Sequence, residues 1–522
     1  MAIIYEYEER RVIPNWRDFK RTLPLGELEN RNNPNPINID ISRAINDWRL
    51  EPNLGIAADL INASFISGKT NFPEINEAIK FITENKSKSS NSLTSLANRI
   101  NNIQTNSIER EGFDSKLDSK ANSIIDLQTY TNNDALYKLI HNTKLRAQKN
   151  LKNPITWVEL SRLYSFFSKE IQAEKAMVIA LNLAPNNRYV LRSATRLFVH
   201  FGKYEKALYY LRKSEATKHD PWLASAHIAT SSYLNRYSPL IKPGIGLINS
   251  KNFSNYEITE LASALGTLEF GEGSYKKSKA FFDISLKSPN DNSLAQFEWV
   301  SKEDTRFSFN PLHYSNVANP FEAFAYENFE RGNWQEAFDD SIKWFLDMPY
   351  SKGPVLLGSY LTSTFLKDID ATIMLCEAGL KANPNDPSIL NNLIYALIGA
   401  NKIEEAVPHV LNLHKAKIDD LPDETKITLQ ATFGLVYISF GDIELGSKYY
   451  ETAINNAERI NSKYLKDSAI LNFTKALIVN DLPQKDFYFN LASEIKPDPK
   501  HTDLKSMKEE VIRLYNLFRF KL

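Results

Sequence analysis

Cysteine is almost missing from this 522-residue chain: Cys376 stands alone. A single thiol excludes an internal disulfide. Its setting among Ile373, Met374, Leu375 and Ala378 predicts a small core residue, with no neighbouring His or Asp to activate it. Net charge is missing too, since 63 Lys and Arg balance 63 Asp and Glu. With no whole-chain field to hold a polyanion, neither nucleic acid nor an anionic membrane is expected as a partner. No apolar run reaches the roughly 18 residues of a membrane span. Met1 to Arg11 carry acids and bases where a secretory leader needs an apolar stretch. A cytoplasmic location is the resulting expectation.

Catalytic signatures are also missing. There is no Gly-x-Ser-x-Gly, no pair of catalytic carboxylates and no Cys/His dyad. Ala63 to Thr70 (ASFISGKT) fits a relaxed phosphate-loop pattern. Phosphate binding there needs a preceding strand, a glycine-rich loop and a helix opening at the Lys-Thr pair. A helical stripe precedes it instead, one glycine serves the loop, and Pro73 interrupts any helix there, so Gly68 reads as a helix C-cap. His409 and His414 are five residues apart and share no helix face well enough to hold a metal. The chain is therefore expected not to be an enzyme and to need no cofactor or metal.

The feature that is present is periodicity. A chain this long exceeds the roughly 250–300 residues of a single core, so it is several domains or one array. With 43% hydrophobic and 24% charged residues it is expected to fold. From Pro154, Trp157, Leu160, Ser161 and Tyr164 are succeeded by Ala173, Met177, Ala180 and Pro185. Arg188 opens a matching segment with Leu191, Phe198, Gly202, Tyr204, Ala207 and Leu211. This spacing, W-x2-L-G-x2-Y then A-x3-F then P over about 34 residues, resembles the tetratricopeptide repeat family. The resemblance implies an all-α solenoid, a right-handed superhelix of antiparallel helix pairs whose first helices line an inner groove. It implies a non-enzymatic protein- or peptide-binding scaffold, an adaptor within a larger complex. The alternative is a peptide-sensing regulator whose superhelix changes shape on binding. Oligomeric state and partner identity are not legible.

Four regions are expected: an extended Pro- and Asn-rich arm at 1–40, with a short strand near Ile3 to Glu8 and either a partner or its own repeats to lie on; a helical region with a polar linker at 41–123; a first repeat block at 124–317; and a second at 318–522 with capping helices. Residues 222–253 carry Pro243, Gly244 and Gly246, and 290–317 read as irregular, so their status as repeats stays open. Within a unit, small residues (Ser161, Gly266, Ala325, Ser359, Gly434) are expected to let the second helix approach. Trp157, Tyr164 and Met177 should fill the space between, at a cost of roughly 3–5 kcal/mol on truncation to Ala if buried. By the resemblance, Arg162, Arg192, Arg196 and His200 fall in groove-facing slots, with Arg188 on the same helix face. Like charges four residues apart repel by about 0.2–0.5 kcal/mol, which leaves two readings: an acidic ligand held by arginine, or a solvated face paired with acidic residues elsewhere in the chain. Tyr326, Tyr360 and Tyr395 share one groove slot in successive units, where they either offer stacking surface to an extended peptide or pack between neighbouring first helices. The family's Lys and Asn carboxylate clamp is not reproduced, because Val158, Arg162 and Arg192 occupy the corresponding slots. A chaperone C-terminal tail is not expected to bind.

Overall fold

A computed structural model describes residues 12–17, 39–67, 72–105 except 88 and 90, 127, and 132–519 except 251, 316, 417, 419, 499 and 500. The strand expected near Ile3 to Glu8 and the cap expected at Gly68 lie outside these residues. Among the described residues the secondary structure is helical and no strand occurs. The helices fall into two compact units, one from Arg10–Ser123 and Asn132–Ala323, the other chiefly Phe324–Leu522.

The N-terminal unit begins with α1 (Ile39–Leu50), α2 (Leu54–Ser67), α3 (Pro73–Glu84) and α4 (Asn91–Thr105). Ile41, Trp48, Leu60, Ile61, Ile75, Ile82 and Ile100 close one core among them. The expected weak helix in the polar linker is thus α4, which contributes Ala97 and Ile100 to that core. Next come α5 (Asn133–Lys149), α6 (Pro154–Ser165), α7 (Glu170–Leu183), α8 (Arg188–His200), α9 (Tyr204–Lys213), α10 (Pro221–Tyr233) and α11 (Ile241–Asn249). The unit ends with α12 (Thr259–Gly271), α13 (Tyr275–Ser285) and α14 (Asp291–Glu303). Residues 290–303 are therefore regular, contrary to expectation. Asn290 and Ser293 form a reciprocal capping box that opens α14, and Leu294, Phe297 and Val300 are its buried stripe.

In the C-terminal unit come most of α15 (Phe321–Glu330), then α16 (Trp334–Asp347), α17 (Gly353–Leu361), α18 (Ile369–Ala382), α19 (Pro387–Gly399) and α20 (Ile403–Lys415). The chain continues through α21 (Asp423–Ser439), α22 (Ile443–Arg459), α23 (Lys463–Val479), α24 (Lys485–Glu494) and α25 (Thr502–Arg519). A single π-turn, Thr362–Leu366, extends α17.

The pairing chemistry repeats. Two residues before the second helix of seven pairs, one residue adopts left-handed φ: Ser168, Gly202, Gly273, Gly332, Lys367, Asn401 and Gly441. At Gly202 the turn is a Schellman closure, with Lys203 N donating to Phe198 O at 2.7 Å and Gly202 N to Val199 O at 3.0 Å. The glycines of the repeat motif thus spare the chain the strain that a Cβ meets there. Close approach is equally literal. A Cβ on Gly434 in α21 would lie 2.5 Å from the Tyr450 ring of α22, and one on Gly266 would lie 3.0 Å from Phe282. Ser161 Oγ donates across its pair to Ala173 O at 2.7 Å. Ser359 is buried, but the tight contact of its pair sits one residue earlier, where a Cβ on Gly358 would be 2.5 Å from Leu375. Met177 is fully buried, whereas Trp157 and Tyr164 are only half-buried. The burial condition on their truncation cost is met at neither residue.

Candidate functional site: the inner faces and the chain ends that cover them

In the N-terminal unit the first helices α6, α8, α10, α12 and α14 present the face expected to bind a ligand, and residues 12–17 (Val-Ile-Pro-Asn-Trp-Arg) lie extended against it. Pro14 favours this path by excluding helix from the residue before it. Val12 and Ile13 are buried in a cluster with Ala224 and Ile228 of α10 and Leu261, Ala262 and Leu265 of α12. Trp16 is 1% exposed. Polar contacts fix the register. Asn292 Nδ2 donates to Ile13 O at 3.0 Å. Asn15 Nδ2 and Arg17 Nη2 both donate to Asp291 Oδ2, each at 2.5 Å. The Tyr189 hydroxyl of α8, 2.8 Å from Glu159 Oε1, also approaches Arg17 O at 3.4 Å. Of the two resting places open to the arm, these six residues take their own repeats.

Beside the arm, the basic stripe is met by carboxylates of the same unit. Arg192 makes a two-pronged pair with Glu260, at 2.6 and 2.9 Å, and its guanidinium lies 4.9 Å from the Trp222 ring centre. Asn290 Nδ2 donates to the same Glu260 at 2.8 Å. Burial disfavours the Arg192 cation, but Glu260 outweighs it and the pKa is raised. Arg188 pairs with Asp220 at 2.6 Å, and Asp220 also caps α10 through Trp222 N. Arg162 is 3.3 Å from Glu159 and lies over Phe166. Arg196 is buried, and the His200 ring sits 4.7 Å from Phe201. The positive charge that the sequence offers to an acidic ligand is thus already answered at Arg162, Arg188 and Arg192. At residues 12–17 the arm brings a cation, Arg17, to the carboxylate of Asp291.

The inner face of the C-terminal unit is covered by its last helix. Tyr360 is buried, with its hydroxyl donating to Asp503 Oδ2 of α25 at 2.8 Å, and Tyr464 of α23 donates to the same oxygen at 2.6 Å. Burial, and then these neighbours, push the Tyr360 phenol well above its ordinary pKa. Seven residues along α25, Glu510 receives Lys475 at 2.8 Å and Lys367 at 3.0 Å. Burial alone would raise that carboxyl, but the two ammonium groups outweigh it and bring it down to about 2. Tyr326 is buried edge-on to Trp344, and Tyr395 is half-buried. The expected tyrosine ladder is therefore not brought together as one open surface, since Tyr360 faces α25. Sequence reasoning missed Asp291, Asn292, Asp503 and Glu510. The seven-residue spacing of the last two, which puts them on one helix face, was the available signal.

The remaining candidates are quiet. Ala63–Ser67 ends α2, with no strand before it among the described residues. Cys376 is buried, and burial pushes its thiol up to about 12. Among the described residues, no three His, Cys, Asp or Glu side chains converge as a metal site requires, and no helix is long and apolar enough to cross a membrane.

No family model and no curated protein matches the chain. Among solved structures it is similar to yeast Tom70, at 11% identity over 76% of this chain and 95% of that one, with a TM-score of 0.30. It is also similar to the human IFIT1 dimer with PPP-AAAA, at 13% identity over 92% and 93%, with a TM-score of 0.32. A monomeric IFIT1 mutant with Gppp-AAAA aligns at 14% identity over 99% and 100%, with a TM-score of 0.30. Scores of this size assign no ligand to the present chain. One expectation is corrected here. The exclusion of nucleic acid on grounds of zero net charge is withdrawn; IFIT1 itself is seen with oligonucleotides. Whole-chain charge does not report the local patches that would bind one.

Proposed function

We propose that this chain is a non-enzymatic scaffold of the tetratricopeptide type, which binds extended segments of other proteins along the first helices of its N-terminal unit. The observation that carries this reading is the seating of residues 12–17. They rest there as a peptide ligand would, through a backbone carbonyl taken by Asn292, an apolar pair set among α10 and α12, and a side-chain cation on Asp291. Main-chain contacts give affinity in such a mode, and the side-chain pockets give selectivity. A role as an adaptor in a larger assembly, in the cytoplasm, accords with the same reading.

The test is site-specific photo-crosslinking in cells. A crosslinking residue at Tyr189, on the inner face, should capture a second protein, and one at Glu205, exposed on α9, should not. Capture from Glu205 alone, or from neither position, would overturn the assignment.

A further inference from the structure

We propose that residues 12–17 are an in-chain occupant of the groove, and that its partner is a protein segment of the same chemistry: an extended stretch with an apolar pair and, four residues after the second of them, an arginine. This rests on reading the inner face as a protein-binding groove. Three features carry it. The first is charge. Asp291 is a carboxylate that meets residues 12–17, it accepts from both Asn15 and Arg17, and the Arg17 and Asp291 side chains are 11% and 14% exposed. A largely buried carboxylate of this kind rewards a guanidinium and penalises an acid. The second is that Asn292 donates to a backbone carbonyl, which any sequence supplies, so the pocket pair and Asp291 are left to discriminate. The third is depth. Val12, Ile13 and Trp16 are each 2% exposed or less, so a partner reaches these pockets only by displacing the arm.

Displacement sets a threshold. An occupant on the same chain is present at an effective concentration on the order of millimolar. An untethered segment of equal intrinsic affinity, at micromolar concentration, therefore competes at a disadvantage of about a hundredfold or more. The groove is closed to weak matches and opens to a stronger segment or to release of the arm.

The experiment uses the full chain with a protease site inserted between Arg21 and Glu27, and a fluorescent peptide copying Arg10 to Phe19 as the probe. After cleavage the groove should bind the probe at least tenfold more tightly than the uncleaved chain. A probe carrying Arg17→Ala should bind at least tenfold more weakly than the unmodified probe. Asp291→Asn in the cleaved chain should erase the difference between the two probes. In case cleavage disturbs folding, the uncleaved chain with Trp16→Ala and Arg17→Ala provides a second route, and it should bind the unmodified probe at least tenfold better than the parent. Equal binding before and after cleavage together with no gain in the double variant overturns the proposal. So does indifference to Arg17 in the probe, or a dimer in which two copies exchange arms. If the probe fails while crosslinks from Tyr189 persist, the in-chain occupant is refuted and the binding scaffold stands. If the crosslinks fail as well, both fall.

Discussion

Replacing Arg192 by Met distinguishes a ligand-binding arginine from one that holds the unit together. In the structure this side chain is 15% exposed and its partner Glu260 only 1%. The substitution leaves the Glu260 carboxylate buried, facing Asn290 and no cation from α8. Removing one member of such a pair costs about 3–5 kcal/mol, most of it the penalty for the charge left behind. Adding Glu260→Gln removes that charge and should recover roughly 2 kcal/mol, a coupling of the size found between groups in contact. For large units each kcal/mol moves a melting midpoint by roughly 2 °C. Arg192→Met should thus lower the transition of the N-terminal unit by about 6–10 °C, and the double variant should regain close to half. Differential scanning calorimetry on the full chain measures the midpoint, and hydrogen exchange of the α8 and α12 amides shows that the loss lies in this unit. If Arg192→Met melts within about 1 °C of the parent, or the double variant is no better than the single, the pair does not hold the unit together.

Two further outcomes concern the C-terminal unit. Gly434→Ala should destabilise it by about 1–3 kcal/mol through overpacking against Tyr450. Helix propensity alone would favour Ala by roughly 1 kcal/mol, so a raised denaturation midpoint would refute the close approach of α21 and α22. At Glu510 the folded pKa of about 2 lies below the ordinary 4.5. Its contribution is therefore complete above about pH 4.5 and is lost as pH falls toward 2. Protection factors across Thr502–Arg519, taken relative to intrinsic exchange at each pH, should fall over that window, and Glu510→Gln should lower them already at about pH 6; a protection pattern that ignores both changes would contradict the clasp.

Much of the architecture could be read in advance because it is local. The left-handed turns at Gly202, Gly273, Gly332 and Gly441 and the small residues at Ser161, Gly266 and Gly434 act within one helix pair, so a window of about 34 residues contains both cause and effect. Helix α14 was missed because it departs from the repeat consensus, although Asn290 and Ser293 announced its start. Trp157 and Tyr164 stand at consensus positions yet stay half-buried, since consensus marks a slot and not how much of it neighbours cover. The occupants of the two inner faces were out of reach for a different reason. Arm and groove meet across 276 residues, and Asp503 meets Tyr360 across 143. No periodicity carries information over such distances, so the carboxylates that answer the arginines, and the helix that covers Tyr360, had to be seen.

The seating of the arm also sets a schedule for biosynthesis. Asn15 leaves the ribosome 276 residues before the Asp291 that receives it. At roughly 5–20 residues per second, that is an interval of about 14–55 s. Until α10 and α12 are made, Val12 and Ile13 have no pocket to enter, and their polar register at Asp291 comes later still, while the helices α1 to α4, complete within themselves, can already close their core. An apolar segment made early is consequently buried only after most of its unit has been synthesised. During translation these apolar side chains wait exposed for the helices that receive them.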